Sequence, residues 1–421
     1  MKILWITNSC LPIIAKQLNI NAGVFEGWNI LPAKLMSEED KIDFAIASPV
    51  SLSIKHYKKI ICSKVTGYCF SYKSAANKKK MIQIWKEIEA DFNPDIVHLQ
   101  GTEMSHGMFY VDACGNKNIV ASIQGMTSIY ERYFYGGIDF TDILRNISLY
   151  DIYSSNSIFA GRKRCQISGR NEICNISRLQ HVIGRTTWDM VHCKVINPDI
   201  EYHFCNETLR TGFYTAQKWD KKKCIPHSIF LSQCKYPIKA LHMMLKAMPI
   251  ILRYYPDAKI YIGSCIRIIP KNFLQKIAPT NYGGYLLKII KKLGLEDKIV
   301  FLGSLDESQM IKMYQKANVF VSPSSIENSP NSLCEAQILG VPSISSMVGG
   351  VEDLTRNGTT TFCYRFEEYE MLAYYVCKIF SGNYSQDRFQ KAMEDACNRH
   401  NPQSNIQNLL GIYKNILKIT K

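Results

Sequence analysis

Short apolar runs alternate along the chain with longer stretches in which apolar residues recur every three or four positions. The first run, 2–7, reads as a strand; a helical stretch follows near 24–37, and a second strand over 41–48. Residues 75–90 place Met81, Ile84, Trp85 and Ile88 on one helical face beside Lys78-Lys79-Lys80. Asn93-Pro94-Asp95 then signals a turn into a strand over 96–99, and 119–123 forms another. The stretch 130–200 is less regular: aromatic-rich over 130–140, basic over 162–170, and without a clear strand until 202–205. After Lys221-Lys222-Lys223 the alternation sharpens. Strands over 228–231, 259–263, 298–303, 319–322, 342–345 and 360–364 alternate with helices near 238–254, 283–293, 306–316, 331–339 and 366–380, and a last helix runs over 403–419. Strand–helix alternation with short connections implies parallel sheets covered on both faces.

A chain of 421 residues exceeds the size at which one core stops growing. The expected class is α/β with two doubly wound domains, 1–222 and 223–400, joined through a linker at about 217–227, and a helix over 401–421 packing back toward the first domain. Hydrophobic residues at 46% suffice for two cores and exclude wholesale disorder. Apolar stretches such as 240–252 are interrupted by Lys or His, so no membrane span is expected. The start runs directly into a strand without an apolar leader, which reads as cytoplasmic. The 15 cysteines are odd in number and hold no C-x(2–4)-C pair, as expected of reduced, buried thiols and not of a zinc site. Lys and Arg outnumber Asp and Glu by 51 to 36, a net +15 spread over both halves. That charge attracts polyanions, anionic lipid surfaces and phosphorylated small molecules alike. No zinc finger, RNA-recognition signature or basic helix with interleaved aromatics accompanies it, so nucleic acid is not an expected partner.

The densest signal runs from Ser322 to Ala336 and on to Gly340-Val341-Pro342. An apolar strand, a loop of Ser, Asn and Pro, and a helix opening near Asn331 bring backbone N–H groups to one spot, where the helix dipole favours an anion. Glu327 in the loop and Glu335 in the helix flank that seat, and carboxylates beside an anion site suit acceptance of hydrogen bonds from sugar hydroxyls. Two acids near a helix start are by themselves ordinary; the preceding strand and Gly340-x-Pro342 make them specific. The segment resembles the E-x7-E motif of the retaining family 4 glycosyltransferases of GT-B fold, in which two Rossmann-like domains face each other across a cleft.

The resemblance implies that Glu327 lies against the donor sugar, that Asn328, Asn331, Ser332 and Leu333 offer amides to sugar and diphosphate, and that Glu335 holds the ribose. Many members have Gly-Phe where this chain has Asn328-Ser329. After strand 228–231, Lys239 matches the cation that grips the diphosphate, whereas Gln233 replaces the usual Arg and offers only a neutral donor. Gly349-Gly350 resembles a later glycine loop that approaches the ligand closely. In the first domain, Gly23, Gly27 and Trp28 occupy a glycine-containing loop after strand one. His98 lies where a cleft residue is expected, though a satisfied structural histidine fits it too. Gln124 stands where many members have a His near the donor sugar. The stretches around His181 to Asp189, with Arg185, and Phe204 to Arg210 look like a bacterial surface-polysaccharide subgroup; an i,i+4 pair with Asp189 is the other reading of Arg185.

The implied reaction moves a sugar, with retention, from a UDP- or GDP-sugar to a hydroxyl of a saccharide, typically lipid-linked, at the inner face of a membrane. Glu327, Lys239 and Gln124 are the expected catalytic residues. No cofactor is expected, and because D-x-D is absent from the chain no metal is expected at the diphosphate. The spread basic charge suits peripheral attachment to an anionic membrane. A nucleotide-sugar 2-epimerase of the same architecture and a non-enzymatic anion or nucleic-acid binder are the rival readings.

Overall fold

The computed structural model describes residues 1–21, 27–147, 151, 157–264 and 281–419. The chain divides into two compact units: Met1–Ser128, Ile167–Arg210 and Arg399–Lys421 form the first, Ile129–Gln166 and Thr211–Asn398 the second.

Eight strands of the first unit lie among the described residues: β1 Lys2–Ile6, β2 Asp43–Val50, β3 Tyr57–Cys62, β4 Val65–Ser71, β5 Ile96–Leu99, β6 Ile119–Ser122, β7 His181–Gly184 and β8 Glu201–Phe204. Their order is β3-β4-β2-β1-β5-β6-β7-β8. All pair in parallel except β3, which returns antiparallel on β4. β1, β2 and β5 are buried along nearly their whole length, the condition that makes such strands read as apolar runs. The helix Lys78–Phe92 opens on Asn77, whose Oδ1 accepts from the Lys80 N–H at 3.1 Å, and closes on Asn93 at φ 49°. It buries Met81, Ile84, Trp85 and Ile88, the face expected from spacing. The last helix, Pro402–Ile419, joins the same core as β1 through Ile406, Leu410, Tyr413 and Ile416. The Trp5 indole N–H donates to the Tyr413 hydroxyl at 3.0 Å.

The second unit has β9 Ser228–Leu231, β10 Lys259–Ile262, β11 Ile299–Phe301, β12 Val319–Ser322, β13 Ser343–Ser346 and β14 Phe362–Tyr364, all parallel, in the order β11-β10-β9-β12-β13-β14. This order is Rossmann-like, and its direction reverses between β9 and β12. Ile229, Leu231, Ile260 and Val321 pack with Leu241, Met244 and Met248 of the helix Leu241–Tyr254. Residues 129–166 and 211–222 cluster here, on the other side of the boundary that the sequence placed at residue 222. The reason is apolar: Ile138, Ile143 and Ile158 are buried in this core. Buried His242 adds a polar tie, its Nε2–H donating to the Gly136 carbonyl at 2.7 Å.

Candidate active site

In doubly wound sheets the crevice opens where strand order reverses, beyond the carboxyl ends of the strands. In the second unit the loops after β9 and β12 meet there. The β12 loop is polar yet buried: Ser324, Ser325, Glu327 and Asn328 are each 7% exposed or less. Its backbone groups must therefore find protein partners. The Ser325 N–H donates to the Ile238 carbonyl at 2.8 Å, and the Ser325 hydroxyl to the Tyr133 carbonyl at 3.1 Å. The Asn328 N–H donates to the Tyr130 hydroxyl at 2.9 Å, and the Gly350 N–H to the Glu327 carbonyl at 3.1 Å. Gly349 has φ 54°, and a Cβ there would run into that same carbonyl oxygen, so this position requires glycine.

The β9 loop contributes Lys239. Pro237–Lys239 is a 3-10 turn, and Ala240 follows at φ 48° before the helix begins at Leu241. This left-handed alanine, strained by roughly 1–2 kcal/mol, turns the chain so that Lys239 lies beside the β12 loop. The Lys239 ammonium donates to Glu327 Oε1 at 2.5 Å, and the Ser324 hydroxyl donates to the same oxygen at 2.7 Å. The Glu327 side chain is 9% exposed and that of Lys239 26%. A carboxylate so buried needs a cation and hydrogen bonds to remain charged there.

The helix Asn331–Ile338 opens where the sequence placed it, with Pro330, which has no side-chain oxygen, at the cap position. Asn331 and Ser332 form its first turn and are partly exposed, while Leu333 is fully buried. Glu335 is buried, with Oε2 3.4 Å from the Tyr314 hydroxyl, which donates to the Ser332 carbonyl at 2.8 Å. Gln233 stands exposed in the β9 loop. The second unit thus brings Lys239, Glu327 and Gly349-Gly350 into direct contact. Tyr130, Tyr133 and Ser324 complete this cluster and were not among the expected residues. The aromatic richness of 130–140 was the available signal.

In the first unit a cavity of about 60 Å³ is lined by Trp5, Trp28, His98, Gln124, Glu207 and Asn405 among others. The Gln124 amide, in the orientation that satisfies both neighbours, donates to Glu207 Oε1 at 2.8 Å and accepts from the Trp28 indole N–H at 3.2 Å. The Arg185 guanidinium pairs with the Glu207 carboxylate and donates to the Ile123 carbonyl at 2.5 Å. Asp189 instead accepts from the Arg185 backbone N–H at 3.1 Å, as part of the cap of the helix Thr187–Ile196. Both His98 nitrogens are engaged: Nδ1 lies 2.6 Å from the Tyr413 hydroxyl and Nε2 2.7 Å from that of Ser122. The Gln100 amide nitrogen, which can only donate, lies 3.2 Å from Nδ1, so Nδ1 is an acceptor and Nε2–H donates to Ser122. Burial pushes the His98 imidazole down to about 3, so it is neutral. Gly27 and Trp28 belong to the turn Gly27–Asn29, and Gly23 lies outside the described residues.

Residues 217–395 match the family model described as "Glycosyl transferases group 1". The matched stretch lies within the second unit. An uncharacterized glycosyltransferase of Methanocaldococcus jannaschii is 27% identical over 129 residues, 31% of this chain and 29% of that protein. The Vi polysaccharide biosynthesis protein VipC/TviE of Salmonella typhi is 40% identical over 76 residues, 18% of this chain and 13% of the relative. The chain therefore spans less than a third of the length of these curated relatives. Among solved structures, Anabaena HepE in complex with UDP superposes with a TM-score of 0.67 at 13% identity, covering 99% of this chain and 100% of that one. The fold of the chain is that of GT-B glycosyltransferases, two Rossmann-like domains with parallel sheets. Among the described residues no helix is long and apolar enough to cross a membrane.

Proposed function

We propose that this protein is a retaining glycosyltransferase that moves a sugar from a UDP- or GDP-sugar to a hydroxyl of a saccharide, lipid-linked, in surface-polysaccharide biosynthesis. The observation that carries the reading is the Lys239–Glu327 pair at the point where the strand order of the matched stretch reverses. A diphosphate arriving there offers Lys239 a second anion. As the ammonium passes to the phosphate, Glu327 Oε1 becomes available to a donor-sugar hydroxyl. The first-turn amides of Asn331–Ile338 and the Gly349-Gly350 backbone then face the charge that develops on the leaving diphosphate. Asn328, Ser332 and Leu333 belong to the same donor seat, Glu335 to the ribose, and exposed Gln233 to the phosphates as a neutral donor. Because lysine and amides neutralise the leaving group, transfer proceeds without a divalent metal. The departing phosphate accepts the acceptor's proton on the face from which it leaves, which preserves configuration.

Gly23, Gly27, Trp28, His98, Gln124 and Arg185 are assigned to the acceptor and the reacting sugar. With both nitrogens held and its charge suppressed, His98 acts there by positioning. The polysaccharide role rests on the VipC/TviE similarity, and peripheral attachment to an anionic membrane on the +15 charge. HepE, a GT-B structure with UDP bound, supports a nucleotide sugar as the donor. The test incubates the protein with a panel of UDP- and GDP-sugars and lipid-linked saccharide acceptors in excess EDTA. The expected result is a new glycosidic product of retained configuration, lowered by orders of magnitude in Glu327→Gln. Product formation unaffected by that substitution would overturn the assignment.

A further inference from the structure

β7 and β8 run parallel as neighbours, His181 pairing with Glu201 and Ile183 with His203. Residues two apart on a strand share a face, as do paired residues on adjacent strands. His181, Glu201 and His203 therefore project from one face, and β8 is the outermost strand of its sheet. Their ligand atoms lie within 4.8 Å of one another. His203 Nε2 is 3.2 Å from His181 Nδ1, His181 Nδ1 is 3.3 Å from Glu201 Oε2, and His203 Nε2 is 3.8 Å from Glu201 Oε1. A tetrahedral zinc ion with bonds of about 2.0–2.1 Å has ligand-to-ligand edges of about 3.3–3.4 Å. Two of the three separations already match that edge to within about 0.2 Å, and rotation of the 46% exposed Glu201 side chain can close the third. The His181 and His203 side chains are 7% and 10% exposed, held in place by their surroundings. Two imidazoles and one carboxylate suit zinc, cobalt, nickel or copper in preference to magnesium or calcium, which take all-oxygen sets.

We propose that His181, Glu201 and His203 form a divalent transition-metal site on the edge of the first unit's sheet, with its remaining position open to water. None of the three is among the residues that line the cavity of this unit, although His203 pairs with cavity-lining Ile183. A metal there ties the outer strand to its neighbour. The segment Cys205 to Thr208 that follows β8 lines the cavity of the same unit, so the tie also fixes where that wall begins. A single proton shared between the two rings is the metal-free explanation of the 3.2 Å contact, and experiment separates the two.

The full-length protein, reduced and stripped with chelator, is titrated with Zn²⁺ by calorimetry and with Co²⁺ by absorption, alongside Glu201→Gln and His203→Gln. The Co²⁺ spectrum distinguishes this nitrogen and oxygen set from the chain's thiols, because a thiolate ligand adds a charge-transfer band. The expected result is one site without that band, weakened in each variant by at least the ten- to hundred-fold that loss of an outer-sphere partner costs. Zn²⁺ should also raise the melting temperature of the wild type and not of the variants. Equal metal binding by wild type and both variants, or a Co²⁺ spectrum of thiolate type alone, would overturn the proposal. None of these readings depends on glycosyl transfer.

Discussion

Replacing Lys239 with Met removes the cation from Glu327 while keeping most of the side-chain volume. Breaking a fully buried ion pair costs about 3–5 kcal/mol, whereas an exposed pair contributes about 0–1 kcal/mol. With Lys239 26% and Glu327 9% exposed, and the Ser324 hydrogen bond retained, the loss falls between these limits, at about 2–3 kcal/mol. For a unit of this size that lowers the melting temperature by roughly 4–12 °C. Glu327→Gln should cost less, about 1 kcal/mol, because the freed lysine can turn to solvent while the amide oxygen still accepts from Ser324. The double variant should recover part of the Lys239→Met loss, giving a coupling of about 1–2 kcal/mol in a double-mutant cycle. The assay is denaturant and thermal unfolding of all four proteins, followed by melting in UDP. UDP should stabilise the wild type more than Lys239→Met, since the diphosphate has lost its cation. A Lys239→Met protein within 0.5 kcal/mol of wild type, or strictly additive losses, would refute the reading of this contact as a coupled pair.

Gly349→Ala places a methyl group against the Glu327 carbonyl at a left-handed backbone position, so it should destabilise by about 1–3 kcal/mol and depress kcat before KM, read by steady-state kinetics with the active donor. Tyr130→Phe removes the acceptor of the buried Asn328 N–H and should cost about 1–3 kcal/mol in unfolding experiments; an unchanged midpoint would show that the contact carries no weight. Burial holds His98 and His400 down to about 3 and His242 to about 4. Between pH 6.5 and those values the unfolded histidines bind protons that the folded ones do not. Stability is therefore full above pH 6.5 and is lost on acidification, by about 1.4 kcal/mol per pH unit for each. His242→Gln should make the fall in melting temperature from pH 7 to 5 shallower, and an identical fall would exclude His242 as a contributor.

The second unit was readable because its strands are parallel and β9, β12 and β13 are buried along their whole length, so Ser228–Leu231 and Val319–Ser322 stand out as apolar runs, and Pro330-Asn331 marks the helix start. The hairpin of β3 and β4 was not. β3 is an edge strand whose exposed and partly buried positions follow no regular alternation, and its turn places Ser63 at φ 56° where a glycine or asparagine would have signalled it. β7 escaped because it is only four residues long and bears His181 and Gly184 at its ends. Motif spacing pointed to Lys239 and Glu327 separately. Their contact depends on Ala240 adopting a conformation that alanine's identity does not announce.

Tyr130, Tyr133 and Gly136 show why a site can be less legible than the fold that carries it. A loop that presents several amides to a ligand must be polar, and a polar loop at a strand end is stable when buried only if another segment supplies complementary groups. Here that segment comes from almost two hundred residues earlier in the sequence. Tyr130 offers a hydroxyl to Asn328, Tyr133 a carbonyl to Ser325, and Gly136 a carbonyl to His242. Gly136 sits at φ 60° where a Cβ would strike the Pro237 carbonyl, in the same turn that delivers Lys239. The aromatic stretch and the loops after β9 and β12 therefore form one packed unit. Substitutions in 130–136 should alter the geometry of Lys239 and Glu327 although local sequence pattern assigns that stretch neither a strand nor a motif.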